Sequence, residues 1–240
     1  MVPATLFVSP YIAANHKNFW FQEIRGYDAG IMYGILAGES GLSRDILNKT
    51  PYANILKCLP LNRIHEIIAI YQKTTNTQAK PFMNMCAEEI LEVENSGLIN
   101  IGAHTLHHPI LKNEDDENCK LEITGSITEL ENMLSHKIKY FAYPNGIPGM
   151  DFGKREISIL QDNGITIAVT TANRFLTKNS NKFALPRFGF SHGSIRFIKL
   201  KLIAGQHWEN IKSMIRPTEY KSRKKILSAI KSKYNVDKIQ

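Results

Sequence analysis

The chain has 240 residues, 43% of them hydrophobic, and 30 Lys and Arg against 22 Asp and Glu leave a formal net charge of +8. That length and composition fit a globular α/β chain with one sizeable core and a tail. No run approaches the roughly eighteen apolar residues that a membrane span needs. Cys58, Cys86 and Cys119 are odd in number and widely spaced, which argues against a disulfide framework and for a reducing compartment.

The chain opens on Pro3-Ala4-Thr5-Leu6-Phe7-Val8, with no basic segment ahead of it, so residues 4–12 read as a core strand and not as a leader peptide. Residues 18–36 carry Phe19, Trp20, Phe21, Ile24 and Tyr27 and are expected as a helical or irregular flank, broken by Gly38 and Gly41. Ile64, Ile67, Ile68 and Tyr71 recur at helical spacing, and residues 87–95 form a second covering helix closed by Ser96-Gly97.

Ile99-Asn100-Ile101-Gly102-Ala103 then reads as a short buried strand running into His104-Thr105-Leu106-His107-His108-Pro109. Residues 115–134 follow as a helix, interrupted near Gly125. Residues 139–143 form a strand closed by Pro144-Asn145-Gly146, residues 152–161 a helix and residues 165–171 a β-branched strand. Leu185-Pro186-Arg187-Phe188 is a last short strand or crossover, and residues 194–204 a helix. Strand alternating with helix predicts a parallel sheet with helices outside, open or closed into a barrel.

From Gln206 onward nine Lys and Arg face Glu209, Glu219 and Asp237, and residues 218–234 place Ile226, Leu227, Ile230 and Tyr234 on one face of a basic helix. An ordinary solvated helix packed on the domain is one reading; contact with an anionic membrane or polymer is the other. No groove-reading motif or aromatic platform accompanies these lysines, so specific nucleic-acid binding is not expected.

His104 and His108 stand four positions apart where a strand hands over to its loop, a place where α/β folds keep their chemistry. Two imidazoles at that spacing can converge on one divalent ion; they can equally be a strand cap and a solvated loop residue.

Taken with the other punctuated loops, this segment resembles the polysaccharide deacetylases of carbohydrate esterase family 4, which share a NodB-type domain. The family's metal loop is His, Ser or Thr, two variable residues, then His, matched by His104-Thr105-Leu106-His107-His108. Phe141-Ala142-Tyr143-Pro144-Asn145-Gly146 looks like the Phe-Ala-Tyr-Pro turn of one branch, and Gly164-Ile165-Thr166-Ile167-Ala168-Val169-Thr170-Thr171 and Leu185-Pro186-Arg187 follow in that branch's order. The opening Ala4-Thr5-Leu6-Phe7-Val8 resembles the family's second strand.

The resemblance implies a distorted (β/α) barrel of about seven strands over residues 1–204, lacking its first strand, followed by a basic tail over 205–240. It implies removal of N-acetyl, or sometimes O-acetyl, groups from a glycan. His104 and His108 would be metal ligands, with zinc the default ion and cobalt or nickel also fitting. His107 falls on a variable position. The backbone N–H of Asn145 would donate to the oxyanion; Tyr143, with Pro144, would line the sugar site or pack in the core, and Arg187 would supply positive charge near the site or serve as a structural hydrogen-bonding arginine. His192 is a remote candidate for the family's late catalytic histidine.

The family's Thr-Phe-Asp-Asp-Gly motif, which carries its catalytic base and third metal ligand, is not found ahead of the histidine loop; Asp28 and Asp45 are single and Asp115-Asp116 suits a helix start. The expectation is therefore a metal-dependent deacetylase, truncated or inactive as given. The competing reading is a non-catalytic glycan-binding module, and either would be cytoplasmic or membrane-peripheral.

Overall fold

The computed structural model describes residues 2–40, 42–189, 193–205 and 219–234, without the side chains at 44, 201 and 231–234. His192 and Thr218 lie outside the described residues. The opening apolar run forms strand β1 (Ala4–Val8), which ends earlier than the sequence suggests because Pro10 starts helix α1 (Pro10–Ala14), its fixed φ suiting a helical first turn.

β1 pairs in parallel with β2 (Ile99–Ala103), from Ala4 opposite Ile99 to Val8 opposite Ala103. β2 pairs with β3 (Tyr140–Ala142) through Ala103 and Phe141, and β3 pairs with β4 (Ile167–Val169). The order is β1-β2-β3-β4, all parallel, so every connection is a crossover. Leu185 bridges Val169 beyond β4, which places Leu185-Pro186-Arg187 along that edge. The sheet is open among the described residues, and the expected closed barrel is not seen there. Four strands of three to five residues give neither the number nor the stagger that closure requires.

The chain divides into two compact units. The first comprises Met1–Lys17 and Asn84–Arg216, and contains the sheet. Its core joins Val8, Ile101, Ala103, Phe141 and Ala168 from the strands to Ile90 of α7 (Ala87–Asn95), Leu160 of α9 (Lys154–Asp162) and Cys119, Ile123, Ile127 and Leu130 of α8 (Asp116–Leu134). Asp115 caps α8 by accepting from the Asn118 N–H at 2.7 Å. Gly125 does not interrupt α8; it is a close-packing position, as shown below.

The second unit comprises Asn18–Met83 and Pro217–Gln240. Its helices α2 (Trp20–Glu23), α3 (Ala29–Ser40), α4 (Arg44–Leu47), α5 (Tyr52–Leu56), α6 (Leu61–Thr75) and the basic helix, here α11 (Glu219–Tyr234), share a separate core. Of the aromatics expected on a flank, Trp20 and Tyr27 are buried in this core and Phe21 packs against it; Tyr27 stacks on Tyr71 with ring centroids 3.8 Å apart. The 18–83 segment thus clusters with the tail helix.

Helix α3 runs on through Gly38 to Ser40. On α11, Ile226 is fully buried in the second unit and Leu227 and Ile230 pack against its core, while Lys221, Lys224 and Lys225 remain exposed. Arg223, also on α11, is fully buried: Nη2 donates to the Lys57 carbonyl at 2.8 Å, and Nη1 pairs with Glu219 at 3.3 Å.

Candidate active site

The parallel register delivers β1, β2 and β3 to one level, where His104 follows the last residue of β2. The ladder continues one step further: the His104 N–H donates to the Val8 carbonyl at 2.9 Å, and the His104 carbonyl accepts from Ser9 Oγ at 3.0 Å. The imidazole is then oriented from β3, because Nδ1 lies 2.6 Å from the carbonyl oxygen of Ala142. A carbonyl can only accept, so Nδ1 carries the proton and Nε2 keeps its lone pair. Burial, reinforced by the positive charge of Arg187 and opposed by the Ala142 bond, lowers the His104 pKa to about 4, so the ring is neutral around pH 7.

Beyond His104 the chain turns sharply in a loop, not a helical turn, with Thr105 (φ 66°) and His108 (φ 63°) both left-handed. Such backbone costs on the order of 1 kcal/mol at each non-glycine residue. Thr105, fully buried, holds the turn by accepting from the His108 N–H at 3.0 Å. The loop brings the His104 and His108 rings to a centroid distance of 4.8 Å, nearly perpendicular at 79°.

Two residues on α8 secure this loop. Buried Glu122 accepts the Leu106 and His107 N–H groups on Oε2, at 3.0 and 2.9 Å, and pairs through Oε1 with His107 Nδ1 at 2.6 Å. His107 also packs on the Tyr11 ring, 4.2 Å between centroids. One turn further, a Cβ on Gly125 would lie 2.7 Å from Leu106 Cδ1, so the absent side chain makes room for the loop. Sequence reasoning missed Glu122. The available signal was a charged residue on the helix stripe of Cys119, Ile123, Ser126 and Leu130, where an apolar one belongs.

The second loop, Tyr143-Pro144-Asn145-Gly146, leaves the end of β3. Asn145 is left-handed (φ 56°), its side-chain amide donates to buried Asp151 at 2.7 Å, and its carbonyl accepts from Thr171 Oγ1 at 2.7 Å. Asp151 also accepts from the Ile147 N–H at 2.7 Å and is a second residue that sequence reasoning missed. A Cβ on Gly146 (φ 69°) would approach the Tyr143 carbonyl to 3.0 Å, so this turn requires glycine.

Of the two readings of Tyr143, sugar contact or core packing, its surroundings are those of a core residue. It is 1% exposed, stacks on Phe152 at 3.6 Å and donates its hydroxyl to the Phe183 carbonyl at 2.9 Å, which commits both its face and its polar end to the core. Pro144 is buried beside it. Arg187 is fixed by a 2.8 Å bond from Nε to the Thr170 carbonyl, with its guanidinium 5.8 Å from the centroid of the Phe7 ring.

The paired rings could supply two ligands to a divalent metal. A metal-bound imidazole commonly donates its other N–H to a carbonyl, as His104 does to Ala142. No group of three or more His, Cys, Asp or Glu that could hold a metal occurs among the described residues, so the pair stands without a described third ligand.

A family model, polysaccharide deacetylase, matches residues 40–172, more than half of the chain. The chain belongs to the polysaccharide deacetylase family. Among solved structures it is similar to a polysaccharide deacetylase from Bacillus cereus, 23% identical at a TM-score of 0.38, over 43% of this chain and 32% of that one. It is also similar to IcaB from Ammonifex degensii, 21% identical at 0.39, over 46% of this chain and 49% of that one. A Streptococcus pyogenes deacetylase, PplD, solved with acetate, is 19% identical at 0.40, over 53% of this chain and 57% of that one. The matched region thus spans about a third to just over half of their lengths. No curated protein matches the sequence.

Proposed function

We propose that the chain removes acetyl groups, mainly N-acetyl, from a glycan or polysaccharide, with a divalent metal held by His104 and His108. The observation that carries this reading is the pair of rings 4.8 Å apart, one of them set by the Ala142 carbonyl, in a chain of the polysaccharide deacetylase family. When bound, such a metal supplies a nucleophilic water near neutral pH and polarises the acetamido carbonyl.

The protein's part is orientation. His104 presents Nε2 because Nδ1 is bonded to Ala142, and Glu122 holds the segment between the two histidines. Asn145 would donate its backbone N–H to the developing oxyanion, a role that needs a rigid donor; its side chain and carbonyl are tied to Asp151 and Thr171. Arg187 would add positive potential beside His104.

The alternative, a non-catalytic glycan-binding module, is favoured by one observation: no third ligand joins the histidines among the described residues. The two readings separate in a single experiment. The full chain is stripped with a chelator, returned to Zn2+ or Co2+, and given an N-acetylated chito-oligosaccharide. Acetate release that requires metal and is lost in His104→Ala and His108→Ala is the expected result. Calorimetric binding of the oligosaccharide without release under either metal selects the binding module, and neither binding nor release overturns both readings.

A further inference from the structure

From Asn163 through Trp208 the sequence contains no Asp or Glu, while seven Lys and Arg fall within that stretch. Inside it lies α10 (Ile195–Ala204), a helix with little of its surface covered: Ile195 is 72% exposed, Leu200 56% and Ile203 84%. At 100° per residue, Ile195, Arg196, Lys199, Leu200 and Ile203 share one side of the helix, so its outward face interleaves three aliphatics with two cations. Ten residues are too few for a helix to be stable in water on propensity alone.

Further exposed apolar groups lie at the helix end. The Phe175 ring lies so close to Gly205 that a Cβ there would come within 2.7 Å of it, and this ring stacks on Phe188 at 5.3 Å. Phe175 is itself 53% exposed and Leu176 65%. An anionic polymer would satisfy the cations but leave Ile195, Leu200 and Ile203 in water. A lipid interface accepts both, since aliphatics enter the acyl boundary while long cationic side chains reach back to anionic headgroups.

We propose that α10, with the neighbouring Phe175-Leu176 loop, docks on the surface of an anionic lipid bilayer and lies in the interface plane. No described helix is long and apolar enough to cross a membrane. At ten residues α10 is too short to span a bilayer, so its contact lies at the surface, and it differs from the basic face of α11, whose apolar side is packed in its own unit.

The test is co-sedimentation of the full chain with phosphatidylcholine vesicles, with and without roughly one-third phosphatidylglycerol. The expected result is pelleting with the anionic vesicles that falls as salt is raised. Leu200→Ser with Ile203→Ser, both exposed positions, should weaken it about tenfold or more. A tail variant, Lys221→Glu with Lys224→Glu and Lys225→Glu, should weaken it less. Absence of pelleting, binding that survives the two serines, or binding lost only in the tail variant each overturns the proposal. So does a wild-type dimer in sedimentation velocity that the two serines dissolve, which would make a second copy the occupant.

Discussion

Glu122 Oε1 and His107 Nδ1 stand 2.6 Å apart, joining the middle of α8 to the histidine that sits between the two proposed metal ligands. Because Oε2 of the same carboxylate takes the N–H groups of Leu106 and His107, one buried side chain holds three donors of a loop with two left-handed residues. The loop's conformation is unfavourable on local grounds, and a tertiary contact from α8 maintains it.

Glu122→Ala strands those three donors away from water and should cost about 2–4 kcal/mol in urea unfolding. Glu122→Gln keeps an acceptor for the two amides and should cost about half as much. His107→Ala, which leaves the amide bonds in place, should cost only about 1 kcal/mol. If all three variants unfold with the wild type, the carboxylate does not hold the loop.

Gly125→Ala should destabilise the protein by about 1 kcal/mol, although alanine is the better helix former by a similar amount. The new methyl would meet Leu106 Cδ1 at 2.7 Å. In a Leu106→Ala background the same change should become stabilising, and a double-mutant cycle reads the coupling directly. Additive effects would show that the two residues do not compete for space.

Arg223→Ala should cost about 2–4 kcal/mol in chemical denaturation, because it leaves the Lys57 carbonyl and Glu219 without their guanidinium. Lys224→Ala, one position on and exposed, should stay within about 0.5 kcal/mol of wild type. Equal effects at the two positions would mean that α11 is not anchored through Arg223.

The cysteines should label unequally. Burial, with the nearby Glu156 carboxylate adding to it, pushes the Cys119 thiol up to about 12, so the reactive thiolate is scarce at ordinary pH. Cys58 is buried as well, whereas Cys86 is half-exposed. Iodoacetamide at about pH 8 should therefore add once to the native protein, at Cys86, and three times after denaturation, read by intact mass. Native labelling of Cys119 would show that α8 opens readily.

Several elements were legible because their signals are local. The apolar run ending in His104 is β2, and Ile64, Ile67, Ile68 and Tyr71 all face inward from α6. The strand-helix alternation of residues 99–169 is a parallel sheet. Other features depend on partners distant in sequence. The aromatics around Trp20 announce burial without saying against what, and they serve a separate helical core. Gly125 reads as a helix breaker by propensity, yet its smallness fits Leu106. Tyr143, in a turn suited to ligand contact, is turned into the core by Phe152 and Phe183. Neither Glu122 nor Asp151 has a sequence signature as strong as the histidines they accompany.

The excursion between β1 and β2 is pinched at its base. The Asn18 side chain donates to the Pro81 carbonyl at 2.8 Å and accepts from the Met83 N–H at 3.0 Å; one residue outward on each side, Asn84 donates to the Lys17 carbonyl at 2.9 Å. The departing and returning strands of chain are thus clasped side by side, as the two ends of an ordinary surface hairpin would be. Such a neck makes the 18–83 segment modular. Evolution could vary the segment beyond Asn18 and Met83, together with the α11 helix that shares its core, while the β1–β2 pairing, and the histidine loop hung from it, kept their register.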